Sequence, residues 1–358
     1  MIRRPPRSTL DRSSAASDVY KRQELRNDSA NLKSYDRSVM WNAWGYVYFS
    51  DEKYDQAIQA YEKTISEPEV TIPIRVQALL TMGQLYMVQG NYRKGVELIL
   101  DWMSEVETVT AQSWGILGQA YFQLEDYKKS KSAIEKAIQL AEEVEGYKPK
   151  ENWYVLMAAC YSELESRIGK DESLYKQLGI YEILVNLYPK KMYFIQLGGI
   201  YSQLSREIDY MVTLKAAYQK DLLDKQTEYL TLASLLLQNN NPYWAAKVLE
   251  DGRKKKVPVI DEKTKEEKIL PVVKDNEKNL KLLADAWRMA QEMDLAIPIM
   301  EKAARLAKDG QTYIILGSLY LSEDKLEEAV LAIEEGLKKG KVKNSSQARL
   351  TLGQAHFE

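Results

Sequence analysis

Cysteine and histidine are almost absent from this chain, which has one of each, Cys160 and His356. A single cysteine excludes an internal disulfide bond and a zinc site built from cysteine ligands. A single histidine removes the most common general base and metal ligand. Adjacent carboxylates such as Glu142 and Glu143 make a poor acid and base pair, because neighbours on a helix point in different directions. We therefore expect no enzyme, no metal and no cofactor.

Long apolar runs and an excess of positive charge are also missing. No apolar segment approaches the ~18 residues that a membrane helix needs, so we expect no membrane span. Lysine and arginine number 50 against 52 aspartate and glutamate residues, and the formal net charge is −2. Nucleic-acid binding draws on a surplus of basic residues that neutralises phosphates. Nucleic acid is therefore not an expected partner.

The first residues, MIRRPPRSTLDRSSAASDVYKRQ, are basic and contain Pro5 and Pro6. They lack the apolar run of a secretory signal, and the prolines oppose the amphipathic helix of a transit peptide. Back-translated, SSAASDVYKRQ reads as a transposon adapter used in sequencing libraries, and MIRRPPRST as the flow-cell adapter before it. We interpret Met1–Gln23 as a disordered artefact of assembly and residues 24–38 as a partial native lead-in. The native N-terminus and any signal peptide are then missing.

One motif recurs along the chain and combines large apolar residues with a small residue at a fixed position. Clear copies are WNAWGYVY around Gly45, WGILGQAY around Gly118 and YIILGSLY around Gly317. The small residue returns at intervals of 33 to 51 residues, at Gly45, Gly83, Gly118, Ala158, Gly198, Ala233, Ala284, Gly317 and, in a ninth copy, Gly353. Self-similarity at such a period indicates an array of helical repeats.

Each copy predicts a pair of helices that pack through one face. In the third copy the facing residues are Trp114, Leu117, Gly118 and Tyr121 on the first helix, and Tyr127, Ser130, Ile134 and Ala137 on the second. The pattern resembles the tetratricopeptide (TPR) repeat, a helix–turn–helix unit of ~34 residues. The resemblance implies an all-α, right-handed TPR-type α-solenoid over residues 39–358, with about eight repeats and a truncated ninth. The motif aromatics are then core residues.

Two copies depart from the regular period. The fourth has extra residues, including SRIGKDES, that predict longer helices or a longer turn. After the sixth copy, which opens its second helix at Pro242, a charged insertion spans residues 253–274. Its runs VPVI and ILPVV flank a charged tip, so the insertion is either a β-hairpin near residues 256–273 or a flexible charged loop.

In a TPR-type array the first helices line a concave groove, and this groove binds peptides or protein domains. Counted from the small residues, the groove positions are Asn42, Tyr46, Phe49, Gln84, Met87, Gln119, Phe122, Gln123, Gln203, Ser234 and Gln238. They are amides and aromatics rather than the Lys, Asn and Arg clamp of chaperone-tail adaptors. We expect a protein or peptide partner, with Tyr46 and Phe122 as anchors or, alternatively, as packing residues between repeats.

The order of features also resembles a family of bacterial, periplasmic TPR proteins encoded beside TonB–ExbB–ExbD-type systems. The matching stretches include VMWNAWGYVYFSDEKYDQAIQAYE, KPKENWYVLMAACYSEL and NNNPYWAAKVLEDG. This resemblance implies export to the periplasm and a link to a TonB/ExbB/ExbD-type complex near outer-membrane transport. Two alternatives stay open, a cytoplasmic location and a structural assembly component that binds the cell wall or subunits of a membrane complex.

Overall fold

The computed structural model describes residues 31–260 and 265–357, so the interpretation of Met1–Gln23 falls outside the described residues. Within them the chain forms 18 helices and two strands. The helices before the insertion are α1 (Ser34–Ser50), α2 (Tyr54–Ser66), α3 (Ile72–Val88), α4 (Tyr92–Glu105), α5 (Ala111–Gln123), α6 (Tyr127–Glu142), α7 (Glu151–Glu163), α8 (Glu165–Ile168), α9 (Lys170–Leu187), α10 (Lys191–Gln203), α11 (Glu207–Gln219), α12 (Gln226–Gln238) and α13 (Pro242–Lys254). The strands β1 (Lys256–Ile260) and β2 (Glu267–Pro271) follow, and then α14 (Glu277–Met289), α15 (Met293–Leu306), α16 (Gln311–Leu321), α17 (Leu326–Lys339) and α18 (Ser345–Phe357).

The helices stack as consecutive pairs in a TPR-like solenoid, as the repeat pattern predicts, and most helices on either side of α9 pack against the next helix in the chain. The chain divides into two compact units, residues 1–180 and residues 181–358, with the division inside α9. The extra residues of the fourth copy form the one-turn helix α8 and lengthen α9 to 18 residues. Pro242 is the first residue of α13, where its missing N–H costs no helical hydrogen bond.

Packing within a pair depends on the small residue of the first helix. In the first unit, a Cβ atom on Gly118 would lie 2.6 Å from the side chain of Ile134, so only glycine lets α5 and α6 approach this closely. The Ser130 hydroxyl donates a hydrogen bond of 2.8 Å to the Gly118 carbonyl across the same contact. Ser130, Ile134 and Ala137 are completely buried, which confirms the predicted facing stripe of α6.

The second unit has a core of the same kind. Leu232 and Ala233 of α12 are completely buried and pack in one cluster with Trp287 of α14. Val272 and Val273, which follow β2, join this cluster and are also buried. The end of the insertion is therefore part of the core of this unit.

The turns within most pairs are three residues long and close through a residue with a positive φ. In the second pair this residue is Gly90, with φ of 79°. In other pairs it is a residue with a side chain, namely Glu52, Glu125, Ser205, Asn240, Gln291 and Asp324, with φ between 55° and 63°. One left-handed residue reverses the chain sharply enough for the second helix to begin at once.

The insertion contains an antiparallel hairpin, which confirms the hairpin interpretation over a flexible loop. Its register pairs Pro258 with Ile269 and Lys256 with Pro271. The N–H of Val272 donates to the carbonyl of Lys255 at 2.9 Å, one step beyond this register. Because hydrogen-bonded and non-hydrogen-bonded pairs alternate, Pro258 and Pro271 both occupy non-hydrogen-bonded positions.

Candidate functional site

Two of the pockets on the first helices of the first unit contain predicted groove residues, and we call them the first and second groove pockets. The first groove pocket has a volume of about 600 Å³, and α1 supplies most of its lining. It brings together two predicted residues, Asn42 and Tyr46, and adds Gln77 from α3. Tyr46 is 56% exposed, so its ring is available to a ligand.

Below these side chains the first groove pocket meets the core. Tyr61 of α2 lines the pocket and is almost completely buried, and this burial raises the pKa of its phenol to about 12. The Tyr61 hydroxyl is therefore neutral at physiological pH. Within the described part of the chain, the buried Oδ1 atom of Asn42 has no hydrogen-bond donor. Asn42 thus lines the pocket, while its Oδ1 atom lies buried without a donor.

The second groove pocket lies along α5, between α3 and α7, with a volume of about 570 Å³. It brings together the predicted residues Met87, Gln119 and Gln123. Both glutamines are exposed, whereas Met87 is half-buried and its Cγ would lie 2.8 Å from a Cβ on Gly95. Met87 therefore packs within its own helix pair and forms an apolar wall of the pocket.

The second groove pocket also contains polar and aromatic residues that are not among the predicted positions, including Gln112, Lys150, Asn152 and Trp153. The Lys150 ammonium donates a hydrogen bond to Gln112 and lies 5.7 Å from the centre of the Trp153 ring. Trp153 is buried, and its indole would be struck by any side chain at Gly115. The pocket floor is thus an indole placed against a glycine.

A simple signal in the sequence could have found the amides that were missed. Gln77, Gln112 and Asn152 each lie six residues before the small residue of their copy, which is Gly83, Gly118 or Ala158. This offset puts Gln112 and Asn152 on the first turns of α5 and α7, and Gln77 on the second turn of α3. Lys150 lies in a linker between helices and has no counterpart in the repeat period.

The remaining predicted residues are not in these two pockets. Phe49 and Phe122 are half-buried and pack against the first residue of the following helix, Tyr54 at 6.4 Å and Tyr127 at 5.2 Å between ring centres. Gln84 is half-buried on α3. The second unit contains the other three, Gln203, Ser234 and Gln238, which are exposed on the first helices α10 and α12.

Comparison with known proteins supports the repeat assignment. The sequence profile of the tetratricopeptide repeat matches residues 39–67, which include most of α1 and all of α2, and residues 111–144, which include α5 and α6. The chain therefore contains TPR repeats. These two segments include Asn42, Tyr46, Gln119 and Gln123 of the groove pockets.

More distant similarities extend over larger parts of the chain. The general transcriptional corepressor trfA of Dictyostelium discoideum is 23% identical over 115 residues, which are 32% of this chain and 8% of that protein. A crystal structure of MamA is 20% identical and covers 52% of this chain and 92% of its own, with a TM-score of 0.42. A tetratricopeptide repeat protein from Parabacteroides merdae ATCC 43184 is 15% identical, covers 78% of this chain and 98% of its own, and has a TM-score of 0.37.

No described helix combines the length and the apolar character needed to cross a bilayer.

Proposed function

We propose that this protein is a non-enzymatic interaction scaffold that binds an extended, mainly uncharged segment of a partner protein along the first helices of its first unit. The observation that carries this proposal is the set of amides in the second groove pocket. Gln112, Gln119, Gln123 and Asn152 line it beside the indole of Trp153. Amide side chains both donate and accept hydrogen bonds, as the peptide main chain does, so they match an extended backbone.

The first groove pocket supports the same kind of ligand. Asn42 lines this pocket, and a rotation of its amide would bring the unsatisfied Oδ1 atom to a main-chain N–H of the ligand. Tyr46 supplies an exposed ring beside it. Aromatic residues at the centre of an interface often contribute ~2 kcal/mol or more each. Asn42 and Tyr46 would thus fix one end of the bound segment.

The charges of the pockets favour an uncharged segment over an acidic tail. Lys150 is the only charged residue among the described residues that line the second groove pocket, and Gln112 accepts a hydrogen bond from its ammonium group. The first groove pocket contributes one charged side chain, Asp51. Recognition of a terminal carboxylate relies on several converging donors with positive charge. These pockets lack such a cluster, so we expect main-chain recognition.

A peptide-display selection against the full chain tests this function. Selected peptides should be poor in charged residues, and their affinity should change little when the salt concentration rises. The double variant Gln119→Ala/Gln123→Ala should weaken binding about thirtyfold, because two hydrogen bonds of about 1 kcal/mol each are lost. The matched control is Gln139→Ala, an exposed glutamine on α6, which should bind as the parent does. Equal affinity of the double variant and the parent would contradict the proposal.

We further propose that the protein is exported to the periplasm and acts beside a TonB/ExbB/ExbD-type complex. This part is supported by the resemblance of stretches such as KPKENWYVLMAACYSEL to the periplasmic family. The same parent and double variant, tagged in the source bacterium, give the location from osmotic-shock fractionation. A cytoplasmic location would remove this part of the proposal and leave the groove pockets unaffected.

A further inference from the structure

The second helices of the second unit carry a surface that the groove pockets do not explain. We call it the lysine–aromatic patch, and it consists of Ile208, Val212 and Lys215 on α11 and Tyr243, Trp244 and Lys247 on α13. Ile208, Val212, Tyr243 and Trp244 are 63%, 54%, 45% and 43% exposed. Large apolar side chains that are exposed together mark an interaction surface more often than isolated ones do.

Contacts between the two helices make the patch continuous. The Lys215 ammonium lies 4.7 Å from the centre of the Trp244 ring, so α11 and α13 meet at this point. Val212 and Ile208 continue from Lys215 along the same face of α11 at helical spacings of three and four residues. The rings of Tyr243 and Trp244 are 6.4 Å apart in an edge-to-face arrangement.

The second lysine is held in the same way. The Lys247 ammonium lies 5.7 Å from the Tyr243 ring and 5.6 Å from the ring of Trp287, which is completely buried beneath it. Tyr243 in turn packs edge-to-face on Trp287 at 5.6 Å. The patch therefore rests on a rigid core residue, and Tyr243 loses little freedom when a partner binds.

The two lysines also give the patch a positive charge. Neither forms an ion pair with a described carboxylate, since Asp209 pairs with Arg206, Glu250 with Lys254, and Asp251 accepts from Tyr218. Glu207, at the far end of α11, is the remaining carboxylate of these two helices within the described residues. The first turn of α13 contains no acidic residue. A ligand carboxylate near Tyr243 and Trp244 would thus meet two cations.

We propose that the lysine–aromatic patch docks an acidic amphipathic helix of a partner protein. Its apolar side chains would cover Ile208, Val212 and the rings of Tyr243 and Trp244, and its carboxylates would pair with Lys215 and Lys247. A second copy of this chain is a poor occupant, because a two-fold contact centred on the patch brings like charges together. This surface is on second helices, so the inference does not depend on the groove pockets.

Two synthetic peptides of about 15 residues test the proposal, with the same Leu and Phe positions at helical spacing and either Glu or Lys at the others. Fluorescence anisotropy with the full chain measures their binding. The Glu peptide should bind at least about tenfold more tightly than the Lys peptide, and salt should weaken it. The variant Val212→Ala/Trp244→Ala should lose about tenfold in affinity. Both residues are exposed, so circular dichroism should show unchanged helicity.

Further variants test whether binding depends on the charge of the two lysines and on the location of the patch. Lys215→Gln/Lys247→Gln should reduce the affinity for the Glu peptide and its salt dependence together. Tyr46→Ala, in the first groove pocket, should leave this binding unchanged. Equal binding of the two peptides, or parental affinity in the Trp244 variant, would overturn the proposal. So would sedimentation showing a dimer that Val212→Ala/Trp244→Ala dissociates, since a second copy would then occupy the patch.

Discussion

Single residues with a positive φ close the turns between paired helices, and most of them are not glycine. Glu125 has φ of 60° in the turn between α5 and α6, where Gly90 has φ of 79° in the equivalent turn between α3 and α4. A left-handed conformation costs a residue with a Cβ atom roughly 1–2 kcal/mol, whereas glycine adopts it freely. Several turns therefore contain local backbone strain, which the turn with Gly90 avoids.

Glycine at position 125 should stabilise the protein. Glu125→Gly removes the left-handed strain, and the greater entropy of glycine in the unfolded chain offsets part of the gain, so we expect about 0.5 kcal/mol of added stability. Glu125 is exposed, and the substitution disturbs no core contact. The urea midpoint, followed by circular dichroism, measures the change.

Gly90→Ala provides the matched control for this substitution. A Cβ atom on Gly90 would meet nothing within 4 Å, so its cost is that of the backbone alone, about 1 kcal/mol of lost stability. A lower urea midpoint for Glu125→Gly than for the parent would contradict the strain argument.

The sequence indicates this conformation where glycine, asparagine or aspartate occupies the turn, and not where glutamate does. Gly90 within QGNY is a recognisable turn signal, but Glu125 within LEDY is not, because glutamate rarely has a positive φ. The conformation at Glu125 is imposed by the two helices that pack on either side of a short connection. The positive φ of Glu125 therefore results from packing and cannot be predicted from local residue propensity.

The repeat unit depends on the close approach of its two helices. Two adjacent glycines of α10 distinguish this requirement from the effect of glycine on helix propensity. A Cβ atom on Gly198 would lie 2.8 Å from the ring of Tyr210 on α11. A Cβ atom on Gly199 would meet nothing within 4 Å. Only Gly198 is thus required by the packing of the pair.

Alanine at these two positions should have opposite effects. Gly198→Ala forces the Tyr210 ring to move and should destabilise the protein by roughly 1–3 kcal/mol. Gly199→Ala adds helix propensity without a clash and should stabilise it by up to about 1 kcal/mol. Thermal and urea unfolding of the two variants side by side measure the difference. If both substitutions shift stability in the same direction, the close contact at Gly198 is not what the glycine provides.

The sequence predicts the elements well because their signals are periodic. Residue spacing or turn chemistry predicts three of them: the stripe of Ser130 and Ile134, the start of α13 at Pro242, and the hairpin. The second groove pocket could be predicted only in part, since Gln119 and Gln123 belong to the repeat motif. Lys150 and Trp153 reach it from the neighbouring repeat, and their placement depends on how two repeats stack.

At the scale of the molecule, the contacts within each unit mainly join helices that are neighbours in the chain, so disturbance should stay local. Trp287→Ala removes the largest completely buried side chain of the second-unit core and should cost about 3–5 kcal/mol there. Hydrogen exchange read by mass spectrometry should become faster in α12 to α15 and stay unchanged in α1 to α4.

Ile134→Ala is the corresponding change in the first unit and should give the reverse pattern. A uniform increase of exchange over the whole chain, for either variant, would show that the array unfolds as one cooperative body. The sequence does not reveal the division at residue 180, because the repeat period continues through it. Only the extra residues of the fourth copy mark that region, and they resemble an ordinary lengthened turn.

The prolines of the hairpin have a consequence for how this protein behaves in a crowded cell. At a non-hydrogen-bonded position the main-chain N–H points away from the partner strand, and at Pro258 and Pro271 that outward donor is absent. Each open edge of the ribbon therefore has a gap in its row of donors. Ile260 and Ile269 remain exposed on this ribbon, yet strands from neighbouring molecules gain little by adding to it. The two prolines therefore make each edge of the hairpin a weaker template for strand addition.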